Sequence, residues 1–322
     1  MYTPVETELS IIIVNWNSVV YLKKCLDSVR KQSAGLTCEV VVVDSASFDG
    51  CDAMMAQNFP EFKFIQSREN LGFAKANNLG FRNSCGENVL FLNPDTEVIG
   101  PALKVLVKGL NELPDAGLVG CKLLNTDGSV QTSCIQSYPT ILNQVLDSEF
   151  LRARSPKSSL WGMAALFSED TKPLQVEAVI GACMLMKRST FEQIGMFSED
   201  YFMYGEDIDL CYKISKAGYR NYYIPSAAIT HHGGKSSGKR RSVFPVVTMR
   251  ESTWRFLRKF RGRCYAAAYR FSMGACAVMR LMVMAILIPF LMLARSRDSL
   301  VGAGRKWLAV LGWSLWLKLK LD

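Results

Sequence analysis

Glu206, Asp207 and Asp209 place three carboxylates within four positions, between the apolar residues Phe202 and Leu210. A carboxylate beside apolar walls and a second negative charge is costly to ionise, so such a cluster suits a site where a cation or a proton-donating substrate uses it. The same residues also suit the first turn of a helix, where acids favour the dipole. Asn93-Pro94-Asp95 follows the apolar run Val89 to Leu92 and holds one carboxylate on a stiff backbone, a fit for Mg2+ or Mn2+ bridging to a phosphate; it is also ordinary turn chemistry. The two histidines of the chain are adjacent, His231 and His232, and Gly233, Gly234, Lys235 and Ser236 follow. One imidazole can complete a metal shell while the glycines let backbone approach a diphosphate and Lys235 adds charge. Asp44 closes a valine run and suits the ring N–H of a pyrimidine, or a turn with Asp49-Gly50. The stretch Asn70 to Gly80, with Gly72, Asn77 and Asn78, offers amides and a helix start that suit ribose or phosphate oxygens, or helix caps.

These side chains need a frame. Ser10 to Val14, Val40 to Val43 and Val89 to Leu92 are continuous apolar runs, the pattern of strands covered on both faces in a parallel sheet. Leu22, Cys25, Leu26 and Val29 recur at helical spacing between the first two, which gives a β-α-β unit. A shorter strand is expected at Phe62 to Ile65. Asn15, Asp44 and Asn93 each follow a strand, where an open α/β sheet has its ligand crevice. Leu118 to Lys172 reads as irregular with a helix around Ile141 to Leu151, and an apolar strand broken by Gly181 is expected over Val176 to Met186. Tyr222 to Ile224 completes the set.

The net charge of +9 over 322 residues hides an asymmetry. From Lys235 onward there are 18 of the 38 basic but 3 of the 29 acidic residues, which leaves 20 basic and 26 acidic before it. An acidic body thus carries a basic, apolar tail suited to an anionic membrane surface or to nucleic acid. Phe271 to Ala294 is long enough to span a bilayer, but Arg280 lies inside it and Arg295, Arg297, Arg305 and Lys306 follow. The expectation is a monotopic or re-entrant anchor, with Trp307, Trp313, Trp316, Lys318 and Lys320 as an interfacial helix and Arg250 to Arg270 as a basic collar; a soluble helical bundle is the other reading. The ten cysteines show no C-x-x-C spacing, so neither zinc nor a disulfide framework is signalled, and no secretory signal is visible at the first residues. A cytosolic body with reduced thiols is expected.

Taken in order, Ser10 to Asn17, Val40 to Ser47, Asn70 to Gly80, Leu92 to Thr96, Gly181 to Arg188, Gly195 to Leu210 and His231 to Ser236 resemble the family 2 glycosyltransferases of the GT-A fold, in particular the rhamnosyltransferase-like branch of bacterial polysaccharide biosynthesis. The resemblance covers about residues 9 to 240 and implies an α/β, Rossmann-like nucleotide-diphospho-sugar transferase domain over 1–245, with the membrane-associating helical tail over 246–322. It implies that Asn15, Asp44, Asn70, Gly72, Asn78, Asn93 and Gly181 bind or shape the donor site. Asp95, the acid of the family's D-x-D element, and His231 would ligate a divalent cation. Asp207 would be the catalytic base, with Glu206 beside it near the acceptor.

Ser45 departs from the family's usual Asn, Lys75 and Ala76 from its usual glycines, and Asn93 replaces the first acid of D-x-D. The implied reaction is inverting transfer of rhamnose or a similar hexose from a dTDP- or UDP-sugar to a glycan, polyprenyl-diphosphate-linked, at the cytoplasmic face of the inner (plasma) membrane. A single displacement with one base inverts the anomeric carbon through an oxocarbenium-like state. Two other readings stay open, a sugar-phosphate nucleotidyltransferase and a catalytically silent GT-A-fold membrane scaffold. The first would want a glycine-rich loop after the first strand, where Asn15, Trp16, Asn17 and Ser18 stand. A nucleic-acid partner is disfavoured, because the tail is rich in aliphatic and aromatic residues and no recognition module is present.

Overall fold

The computed structural model describes residues 7–233, 243–294 and 297–317. These form two compact units. The first holds the described residues up to Tyr138, Pro156–Phe202 and those from Glu206 to Gly233; the second holds Pro139–Ser155, Met203–Gly205 and the described residues from Val243 on. The units are discontinuous in sequence, so a single cut after residue 245 divides the chain but not the fold.

In chain order the first unit runs β1 (Leu9–Asn15), α1 (Val19–Gln32), β2 (Cys38–Asp44), α2 (Cys51–Asn58), β3 (Lys63–Gln66), α3 (Gly72–Arg82), β4 (Asn88–Leu92), β5 (Thr96–Ile99), α4 (Ala102–Glu112), β6 (Ala116–Leu124) and β7 (Ile135–Gln136). The helices α5 (Ile141–Val145) and α6 (Glu149–Arg154) belong to the second unit. The first unit resumes with β8 (Leu174–Val176), β9 (Ala178–Val179), β10 (Cys183–Lys187), α7 (Arg188–Gln193), α8 (Glu206–Lys216) and β11 (Arg220–His231). Among the described residues a nine-stranded sheet has the order β3-β2-β1-β4-β10-β6-β11-β5, with β8 on β11. β3, β2, β1 and β4 are mutually parallel, and β10 enters antiparallel to β4.

The parallel half is where the apolar runs lie. Ile11, Ile12, Ile13, Val41, Val42, Val43 and Phe91 are fully buried, each contributing about 1.5–3 kcal/mol relative to exposure. Phe81 of α3, Phe91 of β4, Phe191 of α7 and Phe197 pack edge-to-face or tilted with centroids 4.7–5.4 Å apart, which fastens two helices and the 197 segment to one face of the sheet.

Several expectations are corrected. The run Val176 to Met186 is not one strand but three pieces, β8, β9 and β10, on different partners. The helix around Ile141 to Leu151 is two helices, because Thr140 and Ser148 each cap a new start. The irregular middle begins later than Leu118, since Ala116–Leu124 is the buried strand β6. The strand expected at Tyr222 to Ile224 is longer, β11 running from Arg220 to His231 through Pro225. Register with β6 slips between Ile224 and Ala228, and the proline sits in that irregularity.

The second unit adds α9 (Phe244–Arg261), α10 (Arg263–Ala294) and α11 (Arg297–Ser314) to α5 and α6. Trp307 and Trp313 are buried in it, and Trp313 Nε1 donates to Glu251 at 3.0 Å, so these two rings are core and not headgroup anchors. Trp316 is exposed. Arg280 donates to the carbonyls of Val145 and Asp147, both at 3.2 Å, and lies 4.4 Å from the Trp307 ring centroid. Phe271, Met279, Met282, Val283 and Ile286 remain exposed on α10, whose Arg263–Ile286 stretch is long and apolar enough to cross a membrane. Arg295, Lys318, Lys320 and the Gly234, Lys235 and Ser236 part of the histidine loop lie outside the described residues.

Gly72 opens α3 with φ +69°, and a Cβ there would lie 2.2 Å from the Phe202 carbonyl oxygen, which itself accepts from Phe73 N–H at 3.0 Å. Gly72→Ala is expected to lower stability by at least about 2 kcal/mol, read as a shifted urea midpoint. A midpoint equal to wild type would show that the loop does not seat on residue 202.

Candidate functional site

The carboxyl ends of β2, β1 and β4 bring Asp44, Asn15 and Asn93 side by side. Asn15 and Asp44 are register partners, and Ile13 pairs with Leu92, so the three span two strand spacings, about 10 Å. Asp44 is fully buried and accepts from Asn15 Nδ2 at 2.7 Å, Gln66 Nε2 at 2.7 Å, Ser47 N at 3.1 Å and Ser47 Oγ. Asn15 also reaches Ser47 Oγ and Asp49, and accepts from Ser18 Oγ. Gln66 is the exposed member of this group.

Asp44, Asp49 and Cys51 also bring ligand atoms within 4.8 Å of one another. Burial, Asp44 and Asp49 push the Cys51 thiol up, which keeps it protonated, and a neutral thiol is a poor ligand for a hard cation.

The loop before α3 closes over this end. Asn70 Oδ1 accepts from Gly72 N at 3.0 Å and from Ser45 Oγ at 3.3 Å, and Ser45 Oγ accepts from Leu71 N at 2.8 Å. The serine that departs from the family pattern thus ties the β2 end to the loop. Asn78 is placed differently from its expected donor contact. Its amide donates to Phe197 O at 3.0 Å and Glu199 at 2.9 Å and accepts from Phe197 N at 3.1 Å, which makes it framework behind the pocket.

Asp95 and His231 meet across the sheet edge. His231 is the register partner of Thr96, so the ends of β11 and β5 coincide. His231 Nε2 lies 3.3 Å from Asp95 Oδ1 and 3.5 Å from Asn93 Nδ2, with both Asp95 and His231 buried. His231 Nδ1 lies 2.9 Å from Gln131 Oε1. A carboxylate and an imidazole nitrogen facing each other at this distance fit a small octahedral cation, whose adjacent ligands at about 2.1 Å stand about 3 Å apart. His232 turns away, bonded to Glu97 at 2.7 Å and Thr126 at 3.2 Å.

The acidic cluster divides into distinct environments. Asp209 is fully buried and accepts from Ser198 Oγ at 2.6 Å and Tyr201 OH at 3.2 Å, which pins the segment leading to α8. Asp207 Oδ2 accepts from Gly181 N at 3.0 Å. The next residue, Ala182, accepts from Asn93 N at 3.0 Å. The dipeptide Gly181–Ala182 therefore links Asp207 to Asn93, whose side chain lies 3.5 Å from His231. A Cβ at Gly181 would lie 3.1 Å from Phe73 and 3.7 Å from the Asp207 Cβ, so glycine keeps this junction close. Glu206 is buried with Oε2 lacking a hydrogen-bond partner, and burial, with the Asp207 charge second, pushes its carboxyl up to about 8.

Of the residues singled out from the sequence, Asn15 and Asp44 share one cluster, Asn70 and Gly72 join the loop beside it, and Asp95, Asn93 and His231 form a second group to which Gly181 and Asp207 are linked. Gln66 and Gln131 were missed. Neither carries a motif, and their contacts reach 22 and 100 positions along the chain.

The model of glycosyl transferase family 2 matches residues 10–195. The chain is 27% identical over 285 residues to an N-acetylglucosaminyl-diphospho-decaprenol L-rhamnosyltransferase of Mycobacterium tuberculosis, covering 84% of this chain and 91% of that protein. It is 27% identical to rhamnosyltransferase WbbL of Escherichia coli, covering 78% and 93%. Among solved structures, the mannosyltransferase PcManGT of Pyrobaculum calidifontis in complex with GDP-Man and Mn2+ superposes with a TM-score of 0.58 at 18% identity, covering 97% of this chain and 87% of that one. GalNAc-T7 with UDP, GalNAc and Mn2+ gives 0.54 at 17%, covering 71% and 44%. These likenesses establish the fold as GT-A-like.

The Glu206 carboxyl has a consequence for stability. Its folded pKa lies above the unfolded carboxylate value near 4.5, so the folded state binds the extra proton between those limits. The contribution is full below about pH 4.5 and is lost as pH rises through about 8. Glu206→Gln is expected to flatten the decline of the urea midpoint over that window; an unchanged decline would show that Glu206 titrates normally.

Proposed function

The chain belongs to glycosyl transferase family 2, and we propose that it is an inverting glycosyltransferase that moves rhamnose or a similar hexose from a dTDP- or UDP-linked donor to a hydroxyl of a polyprenyl-diphosphate-linked glycan. The observation that carries this reading is the Gly181–Ala182 junction, which holds Asp207 at one side and Asn93 at the other, so that a proton acceptor and the neighbour of the Asp95–His231 pair are tied to one stretch of backbone. The printed names of the mycobacterial and E. coli relatives support the sugar, and the mycobacterial name supports the acceptor class.

Asp44 and Asn15 orient the base, with Gln66 giving way to the ring N–H. The Asn70 to Gly72 loop and Gly181 shape the sugar pocket, and Asn78 holds that loop's helix in place. Asp95 and His231 would hold Mg2+ or Mn2+, beside Asn93. Such a cation, when bound, supplies stabilisation of the charge left on the departing diphosphate. Asp207 takes the proton of the attacking hydroxyl, a contribution typically of ~10²–10⁴ in rate. Neutral Glu206 beside it adds no second negative charge to the acceptor side.

The second unit supports action at a lipid surface on the cytoplasmic side of the inner membrane. Its exposed apolar row on α10 suits the interface, and Arg280, satisfied by the Val145 and Asp147 carbonyls, need not be carried into lipid.

Incubation with a panel of activated sugars is expected to show slow hydrolysis of one donor, and transfer once a polyprenyl-diphosphate glycan is added. Asp207→Asn should keep donor affinity and lose about 10²–10⁴ in turnover. Unchanged turnover in that variant removes the base assignment, and full activity of a wholly soluble pool on a water-soluble glycan removes the lipid-surface role.

A further inference from the structure

We propose that Gln131 is the positioning residue that locks His231 in the Nδ1–H tautomer and so aims the bare Nε2 at Asp95 for a divalent cation. The inference rests on the cation reading of Asp95 and His231 given above and deepens it.

Gln131 N donates to Leu123 O at 2.9 Å, and Gln131 O accepts from Cys134 N at 3.1 Å, so the residue is fastened to β6 independently of its side chain. Its amide then makes two contacts with one partner. Nε2 donates to the His231 carbonyl at 2.7 Å, and Oε1 lies 2.9 Å from His231 Nδ1. The first contact fixes the orientation of the amide. Turned over, it would place Oε1 against a carbonyl oxygen at 2.7 Å, two acceptors with no proton between them. With Oε1 facing Nδ1, that nitrogen must carry the hydrogen. A neutral imidazole has one N–H, so Nε2 is left as a lone pair.

The surroundings of Nε2 agree. It faces Asp95 Oδ1 at 3.3 Å and the Asn93 amide nitrogen at 3.5 Å, a carboxylate and a weak donor. A lone pair opposite a carboxylate is unfavourable unless a positive charge lies between them. This is the geometry of a ligand pair held ready by a partner on the other ring nitrogen, and removing such a partner typically costs 10–100-fold in metal affinity. Gln131 does not touch the cation site and acts only through His231.

The chain holds two histidines, so both rings can be assigned in a long-range ¹H–¹⁵N spectrum of the full-length protein saturated with Mg2+. Wild type is expected to show His231 with a protonated Nδ1 and a bare Nε2. Gln131→Met should shift it toward the Nε2–H form and weaken Mn2+ binding by about 10–100-fold, followed by the electron paramagnetic resonance signal of free Mn2+. Gln131→Met is read beside its urea midpoint, expected to remain a single cooperative transition near wild type, which separates positioning from a folding defect. An Nε2–H tautomer in wild type overturns the proposal, as does Gln131→Met with an unaltered tautomer and unaltered Mn2+ affinity. An Nδ1–H wild type that takes up no Mn2+ confirms the lock and overturns the cation reading on which its purpose rests.

Discussion

A single dipeptide, Gly181–Ala182, constrains the site. Its flanking groups are committed in opposite directions, the Gly181 N–H to the Asp207 carboxylate and the Ala182 carbonyl to Asn93 N–H. The first is charge-assisted, in the class worth about 1.5–3 kcal/mol. The second continues the β10–β4 ladder, in which Cys183 pairs with Leu92. Helix α8 is thereby referenced to the central strands rather than to its own loop, and Asp207 cannot drift without disturbing Asn93. This also explains why the apolar run from Val176 breaks where it does. A side chain at 181 would press on the Phe73 ring at 3.1 Å, and the hydrogen bond of the Gly181 N–H leaves the sheet for a carboxylate.

Around that peptide, polar side chains that look available for ligands are instead committed to the frame. Asp209 anchors Ser198 and Tyr201, and Asn78 anchors Phe197 and Glu199, so two elements of the site motifs hold the 197–201 segment from opposite sides. Lys213 adds a cation 3.9 Å from Asp209. Glu206 has no such partner for Oε2 and takes a proton instead. Three neighbouring acids thus reach three states by three means: a buried carboxylate satisfied by hydroxyls, a carboxylate on a backbone N–H, and a neutral acid held by desolvation.

How much of this was legible follows from the range of each interaction. The parallel strands were readable because burial on both faces forces unbroken β-branched runs, and the ligand-facing residues followed from their place at strand ends. The GT-A-like fold and the family agree with the resemblance carried by those motifs. β6 was hidden because Gly117 and Gly120 interrupt its apolar pattern; the space a Cβ would need there is taken by Ile214, Tyr219 and Val179. The break between α5 and α6 was signalled by Ser148 but masked by apolar residues at helical spacing on both sides. Gln131 could not be found from spacing at all. Its partner is 100 positions away, and only the meeting of β6 with the end of β11 makes an ordinary glutamine specific.

The tail illustrates the opposite error, in which composition is right and the physical consequence differs. An apolar segment with a central arginine and nearby tryptophans reads as interfacial, since lipid headgroups are the usual partners for both. In the second unit the arginine and the tryptophan satisfy each other. Arg280 stacks on Trp307 and donates to two carbonyls at and just after the end of α5, while Trp313 bonds Glu251 of α9 and packs beneath Arg270 at 4.4 Å. Cation–π and hydrogen-bond partners supplied internally remove the need for water or phosphate at those groups. After Arg263, the large side chains left exposed on the described part of α10 are apolar, so a lipid-facing role for this unit would rest on Phe271, Met282 and Ile286 rather than on the aromatic and basic residues that first suggested it.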